Sequence, residues 1–150
     1  MVNGEFEPGL SITAGSPTIL RIVHAAGAEQ IELEIQGTDC SINIIAWDGV
    51  YLSAKYSSTD NKYPLVAGGR VEMEVTCAAG NHELRHRGEV LLNLFATIGG
   101  TVKAAVSDTE LATVTKPTYM ADLTNATVDQ NYAIHLSQGS RDISTCGYAI

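Results

Sequence analysis

The sequence predicts an all-β fold, a Greek-key sandwich or barrel of short strands. Ile31-Glu32-Leu33-Glu34-Ile35-Gln36 alternates apolar and polar residues, and Val71-Glu72-Met73-Glu74-Val75 repeats the pattern. Side chains alternate between the two faces of a strand, so each stretch offers one apolar and one acidic face. Turn chemistry recurs at roughly the eight-to-twelve-residue spacing of sandwiches. Between the two alternating stretches, Ile44-Ile45-Ala46-Trp47 runs into Asp48-Gly49 and then Val50-Tyr51-Leu52. Asp-Gly tolerates the positive φ of a tight turn, so this reads as a buried strand entering a hairpin.

The other elements follow in order. Leu10-Ser11-Ile12-Thr13 alternates, and Ala14-Gly15-Ser16-Pro17 is a turn. Thr18 to Ala25 is a β-branched run carrying Arg21 and His24, broken by Gly27. Gly37-Thr38-Asp39 turns into the strand Ile42–Trp47, and residues 53–62 read as a polar loop. Gly68-Gly69 turns into Arg70–Val75, and Ala79-Gly80-Asn81 turns again. Glu89 to Ile98 is a long apolar run closed by Gly99-Gly100, and Val102–Val106 reads as one more strand. The expected inward set is Ile31, Leu33, Ile35, Ile45, Trp47, Val71, Met73 and Val75. From Ser107 onward Thr, Asp, Asn and Ser dominate, Pro117 interrupts, and only Tyr132–Leu136 looks like a strand. The division is therefore a domain over 1–107 and a connector over 108–150, packed outside the sandwich or partly mobile.

The bulk numbers exclude several classes. With 150 residues, 45% hydrophobic and 17% charged, the chain fits one globular domain with a sizeable core. A net charge of −8 opposes binding to nucleic acid, whose phosphates it repels. No apolar run approaches the ~20 residues of a membrane span, and no signal peptide is visible. Three cysteines leave at least one unpaired within the chain. Cys40 and Cys77 lie near strand ends, so a bond between them is open, and Cys146 could pair elsewhere.

Val2-Asn3-Gly4, then Arg21-Ile22-Val23-His24-Ala25-Ala26-Gly27, then Ile44–Leu52 and the Gly68-Gly69-Arg70 strand stand in a specific order. Over roughly the first hundred residues this constellation resembles the middle plastocyanin-like domain of three-domain multicopper oxidases, laccase-like proteins. The resemblance implies a cupredoxin sandwich and a connector leading toward a third domain, before which the chain would stop. It also implies a parent that couples oxidation of phenols, aromatic amines or metal ions to reduction of oxygen. The implied partners are the neighbouring cupredoxin domains of the same parent, with no nucleic acid and no membrane. The implied location is extracellular or at the cell surface.

The family binds copper through an H-P-x-H-x-H-G segment and an H-C-H-x3-H segment. Matched on Gly37, the first falls on residues 31–37, where Ile31 replaces the blue-copper imidazole and Glu34 and Gln36 replace the cluster ligands. The second has two registers. In one, Cys77 is the thiolate and His82 the imidazole five residues on, flanked by Thr76 and Ala78. In the other, Arg85-His86-Arg87 replaces His-Cys-His, and this register fits the usual pattern of a middle domain better. A blue site needs two imidazoles and a thiolate; Cys77 and His82 lack a third equatorial ligand unless His24 is brought near. The expectation is a chain with no catalytic, cofactor or metal residues of its own, copper residing in the parent; a vestigial Cys77/His82 site is the minor alternative.

His82-Glu83-Leu84-Arg85-His86 spells the zinc motif H-E-x-x-H. On a helix its two imidazoles share a face. On a strand they stand ~13 Å apart, beyond any single ion, and turns at Gly80-Asn81 and Arg87-Gly88 bracket the motif. Strand histidines are the expectation, and a zinc hydrolase is the outlying alternative. No nucleophile elbow is present, and the glycine pairs precede no helix that could cradle phosphate. Glu32/Glu34 and Glu72/Glu74 could form an acidic patch on adjacent strands, but a solvated face is expected. Arg70 and Asp48 are expected to be structural. Asn125-Ala126-Thr127 is a glycosylation sequon in a secreted protein. Two functions follow: a copper-free middle domain that bridges its neighbours, or a stand-alone sandwich that binds through its loops.

Overall fold

In the computed structural model, residues 1–27, 29–58 and 60–115 are described, together with four short strands between 132 and 148. Nine strands build two sheets: β1 (Gly9–Thr13), β2 (Thr18–Val23), β3 (Ile31–Ile35), β4 (Cys40–Trp47), β5 (Val50–Tyr56), β6 (Lys62–Leu65), β7 (Arg70–Cys77), β8 (Gly80–His86) and β9 (Glu89–Thr97). One sheet has the order β1-β9-β8-β3-β6 and the other β2-β7-β4-β5. The chain crosses between sheets after β1, β2, β3, β5, β6 and β7, which is how a Greek key closes two half-apolar sheets on one core. Among the described strand pairs, only β1 and β9 run parallel.

The alternation of β3 and β7 sets that core. Leu33, Ile35, Val71, Met73 and Val75 are buried in one cluster with Ile42, Ile44, Tyr63, Leu65, Leu84 and Leu94. Ile31 and Trp47 pack against it partly buried. Ile45 departs from the expected inward set. It is buried but lies outside the cluster, because the β4–β7 register slips between Ile44 and Ala46. A bulge there puts one extra residue in β4, and a one-residue slip exchanges the two faces. Ile42 and Ile44 therefore point where a strict alternation would place Ile45.

The turns follow their residues. Asp48 (φ 49°) and Gly49 (φ 84°) both take positive φ, as the β4–β5 hairpin requires. The Asp48 carboxylate accepts the Arg70 N–H at 2.9 Å, and the Arg70 guanidinium donates to the Asp48 carbonyl at 2.9 Å. Asp48 and Arg70 thus lock the hairpin to the start of β7, the structural role expected of them.

Three boundaries differ from the sequence reading. The loop expected over 53–62 is shorter, since β5 continues to Tyr56 and β6 begins at Lys62. β6 carries Pro64 yet sits at a sheet edge, where a missing N–H costs no ladder bond. Val102–Val106 is not a strand. Its Lys103 N–H goes to the Ser16 hydroxyl at 2.9 Å and its Val106 N–H to the Glu74 carboxylate at 2.7 Å, so side chains replace a neighbouring ladder.

A helix, α1 (Asp108–Thr113), follows. Ser107 caps it in a reciprocal capping box with Glu110, and Leu111 is its buried residue. The Asp108 carboxylate accepts the Lys55 N–H at 2.8 Å, fastening α1 to β5. The first compact unit spans Met1–Lys116 and includes this helix. The second spans Pro117–Ile150; within it β10 (Tyr132–Ile134) pairs antiparallel with β13 (Cys146–Tyr148), and β11 (Ser137–Gln138) with β12 (Arg141–Asp142). Pro117, the sequon and most of the expected connector lie outside the described residues. Among the described residues no helix is long and apolar enough to cross a membrane.

Candidate metal centre

Of the residues flagged for metal chemistry, Cys77 and His82 come together, whereas His86 and His24 are engaged by other backbone groups. The zinc motif occupies β8, a strand paired with β9 from Gly80↔Ala96 to His86↔Glu89. His86 Nδ1 accepts the Glu32 N–H at 2.9 Å, so its lone pair is engaged. His82 Nε2 lies 2.9 Å from the Ala78 carbonyl, which can only accept, so His82 donates there. Glu83, the supposed general base, is paired with Arg85. Strand spacing of ~13 Å separates the two imidazoles beyond a zinc ion's ligand sphere.

His24 does not complete a copper site. It is 8% exposed, its ring Nε2 sits 2.6 Å from the Glu29 carbonyl, and its backbone makes two bonds to Gly68 and Gly69. It is a satisfied histidine that shapes its own loop.

The cysteines carry the most informative geometry. Cys40 opens β4, Cys77 closes β7, and the two are direct cross-strand partners. Their Cα atoms are 4.0 Å apart and the sulfurs are joined in a disulfide. Cys77 is 1% exposed and Cys40 7%. The next residue, Ala78, donates to the Asp39 carbonyl at 2.7 Å, and Gly15 donates to the Cys77 carbonyl at 2.8 Å. The chain then turns into β8 in the other sheet, where His82 is the third residue. The two sulfurs and an imidazole nitrogen of His82 all lie within 4.8 Å of one another. The third donor beside Cys77 and His82 is therefore Cys40 and not His24. Its position before the Ile42–Trp47 run was the one available signal in the sequence.

The positions that resemble the family's copper segments do not fit that metal. Ile31 offers no lone pair. Glu34 is 3.7 Å from Lys62 Nζ and in register with Arg85, and Cys77 has no thiolate while bonded to Cys40. The alternative of an acidic patch on adjacent strands does not arise: Glu32 and Glu34 lie on β3 in one sheet and Glu72 and Glu74 on β7 in the other. Lys62 Nζ bridges the first pair, at 3.1 Å from Glu32, and this ion pair raises the Lys62 pKa. Arg21 faces Glu72 at 3.2 Å. Glu74, expected on a solvated face, is 2% exposed and paired with Lys55.

No family model matches the chain, and no curated protein does. Solved structures do. A multicopper oxidase from Pseudomonas thermotolerans is 21% identical with a TM-score of 0.56, the match covering 67% of this chain and 24% of that one. A laccase-like multicopper oxidase from Ochrobactrum sp. is 16% identical with a TM-score of 0.58, over 68% of this chain and 24% of that one. A multicopper oxidase from Pediococcus acidilactici is 14% identical with a TM-score of 0.59, over 84% and 26%. The chain thus spans about a quarter of the length of the oxidases it matches. The described strands form a cupredoxin-type β-sandwich, similar in fold to one part of these multicopper oxidases.

Proposed function

We propose that this chain is a copper-free cupredoxin domain of a longer multicopper oxidase, where it bridges neighbouring domains. The observation that carries this reading is the Cys40–Cys77 disulfide: it removes the thiolate a blue copper ion needs, while Ile31, which lies beside His86 and not beside Cys77, offers no lone pair. The similarity of fold to about a quarter of several oxidases supports a place within a larger protein. The disulfide also fits an oxidising setting, outside the cell or at its surface. In this reading the parent oxidises phenols, aromatic amines or metal ions with oxygen, and its coppers sit in the other domains.

The test is metal analysis. The disulfide-bonded chain, produced with copper in excess and desalted, is expected to carry far less than one copper per chain and to consume no oxygen with phenolic substrates. The longer protein is expected to hold copper and to consume oxygen, and its copper content should be unchanged by His82→Ala. One tightly held copper per isolated chain would overturn the reading.

A further inference from the structure

We propose that Cys40, Cys77 and His82 form a thiol-gated site for a soft ion of low coordination number, Cu(I), which is closed while the disulfide stands and opens when it is reduced. The inference stands on these residues and not on the activity of any parent. Three donors from two sheets meet at one end of the sandwich, with all ligand atoms within 4.8 Å. Metal–sulfur bonds of ~2.3 Å and metal–nitrogen bonds of ~2.0 Å put the donors of a trigonal ion roughly 4 Å apart. The spacing therefore needs only small side-chain adjustments once the sulfurs separate.

The second observation is the setting of His82. Its Nε2 faces the Ala78 carbonyl, which can only accept, so in the neutral ring the lone pair is on Nδ1. Metal-bound histidines are commonly held this way, with one ring nitrogen donating to a carbonyl. His82 is partly exposed while both sulfurs are buried, so an ion would enter past the ring and be shielded behind it. The third consideration is the donor set. Two thiolates and one imidazole are soft, and such sets select Cu(I) over hard ions. Zinc would want a fourth ligand, and no other His, Cys, Asp or Glu among the described residues joins the cluster.

The chemistry balances with a dithiol as reductant. The dithiol gives up two electrons and two protons and becomes a cyclic disulfide; the Cys40–Cys77 bond breaks and each sulfur takes one proton. Cu(I) then displaces both protons to solvent as it binds the two thiolates. Cys40 is the first residue of β4 and Cys77 the last of β7. Opening this end pair frays strand ends and does not require global unfolding.

The experiment uses the full chain in the Cys146→Ser background, so that no third thiol contributes. Protein reduced with dithiol and desalted without oxygen is titrated against a Cu(I)-chelator complex, and loss of the chelator's colour reports transfer. Reduced protein is expected to withdraw one equivalent of Cu(I), and disulfide-bonded protein none. His82→Ala in the reduced form should weaken binding by at least about 100-fold, the upper end of what even an outer-shell change costs, while His86→Ala leaves it unchanged. X-ray absorption of the loaded protein should show two sulfurs and one nitrogen about the copper, a readout that needs no substitution of Cys40 or Cys77. Equal binding by the disulfide form, indifference to His82→Ala, or a copper shell without nitrogen would each overturn the site.

Discussion

At the scale of single residues, two buried polar groups hold the sandwich in ways no motif announces. Tyr63 is 1% exposed; its hydroxyl donates to the Ile42 carbonyl at 2.8 Å and accepts the Ser58 N–H at 3.0 Å. Burial pushes its phenol above the ordinary tyrosine value. Tyr63→Phe leaves both backbone partners unmatched, so the urea midpoint should fall by an amount equivalent to about 1–2 kcal/mol. Glu74 is the second such group. It is paired with Lys55 and accepts the Val106 N–H, tying β7 to β5 and to the segment before α1. Removing one partner of a buried pair strands a charge, and Lys55→Met is expected to cost about 3 kcal/mol in the same measurement. The alternation of Val71, Met73 and Val75 correctly predicts their face of β7 but cannot reveal that the opposite face is also covered. What covers Glu74 comes from Lys55 and Val106, nineteen and thirty-two residues away in the chain.

At the scale of elements, strands with strict alternation or Asp-Gly and Arg-Gly turns were legible, since each rests on short-range geometry. β6 was not, being four residues with a proline. The Ile45 bulge was not, because it belongs to the pairing of β4 with β7 and not to β4 alone. α1 did leave a signal: Ser107-Asp108-Thr109-Glu110 has the spacing of a capping box. The connector-like composition around it hid that signal. Ser107→Ala should destabilise the packing of α1 by about 1 kcal/mol, seen as faster exchange of the Leu111 amide. The cap also gives α1 a pH dependence. Hydrogen bonds from Ser107 hold the Glu110 carboxyl below its ordinary pKa. A depressed folded-state pKa means the stabilisation is present above the unfolded value and is lost as pH falls through the folded one. Exchange of the α1 amides should therefore rise, relative to the intrinsic rate, only below the ordinary carboxylate range, and Ser107→Ala should shift that midpoint up.

At the scale of the whole molecule, the disulfide joins the beginning of β4 to the end of β7 across a sequence separation of 37. Closing a loop of that size removes unfolded-state entropy worth about 4 kcal/mol in the chain-entropy view. Cys40→Ala together with Cys77→Ala should lower stability by up to that amount while leaving the strand content intact by circular dichroism. The sandwich was readable from the sequence because its periodicity and turns are repeated across many residues. The metal centre was only half readable: Cys77 and His82 lie five residues apart on consecutive strands, while Cys40 reaches them through strand pairing that no spacing rule contains.

The central claim is that the disulfide-bonded domain has no blue copper site, and adding one equivalent of Cu(II) to the air-oxidised chain tests it most directly. Intense visible absorption requires a copper–thiolate bond held with two imidazoles, and neither the bonded Cys77 nor Ile31 can supply its part. The expected result is no intense visible band. An intense blue band that disappears in Cys77→Ser but survives in His86→Ala would contradict the account.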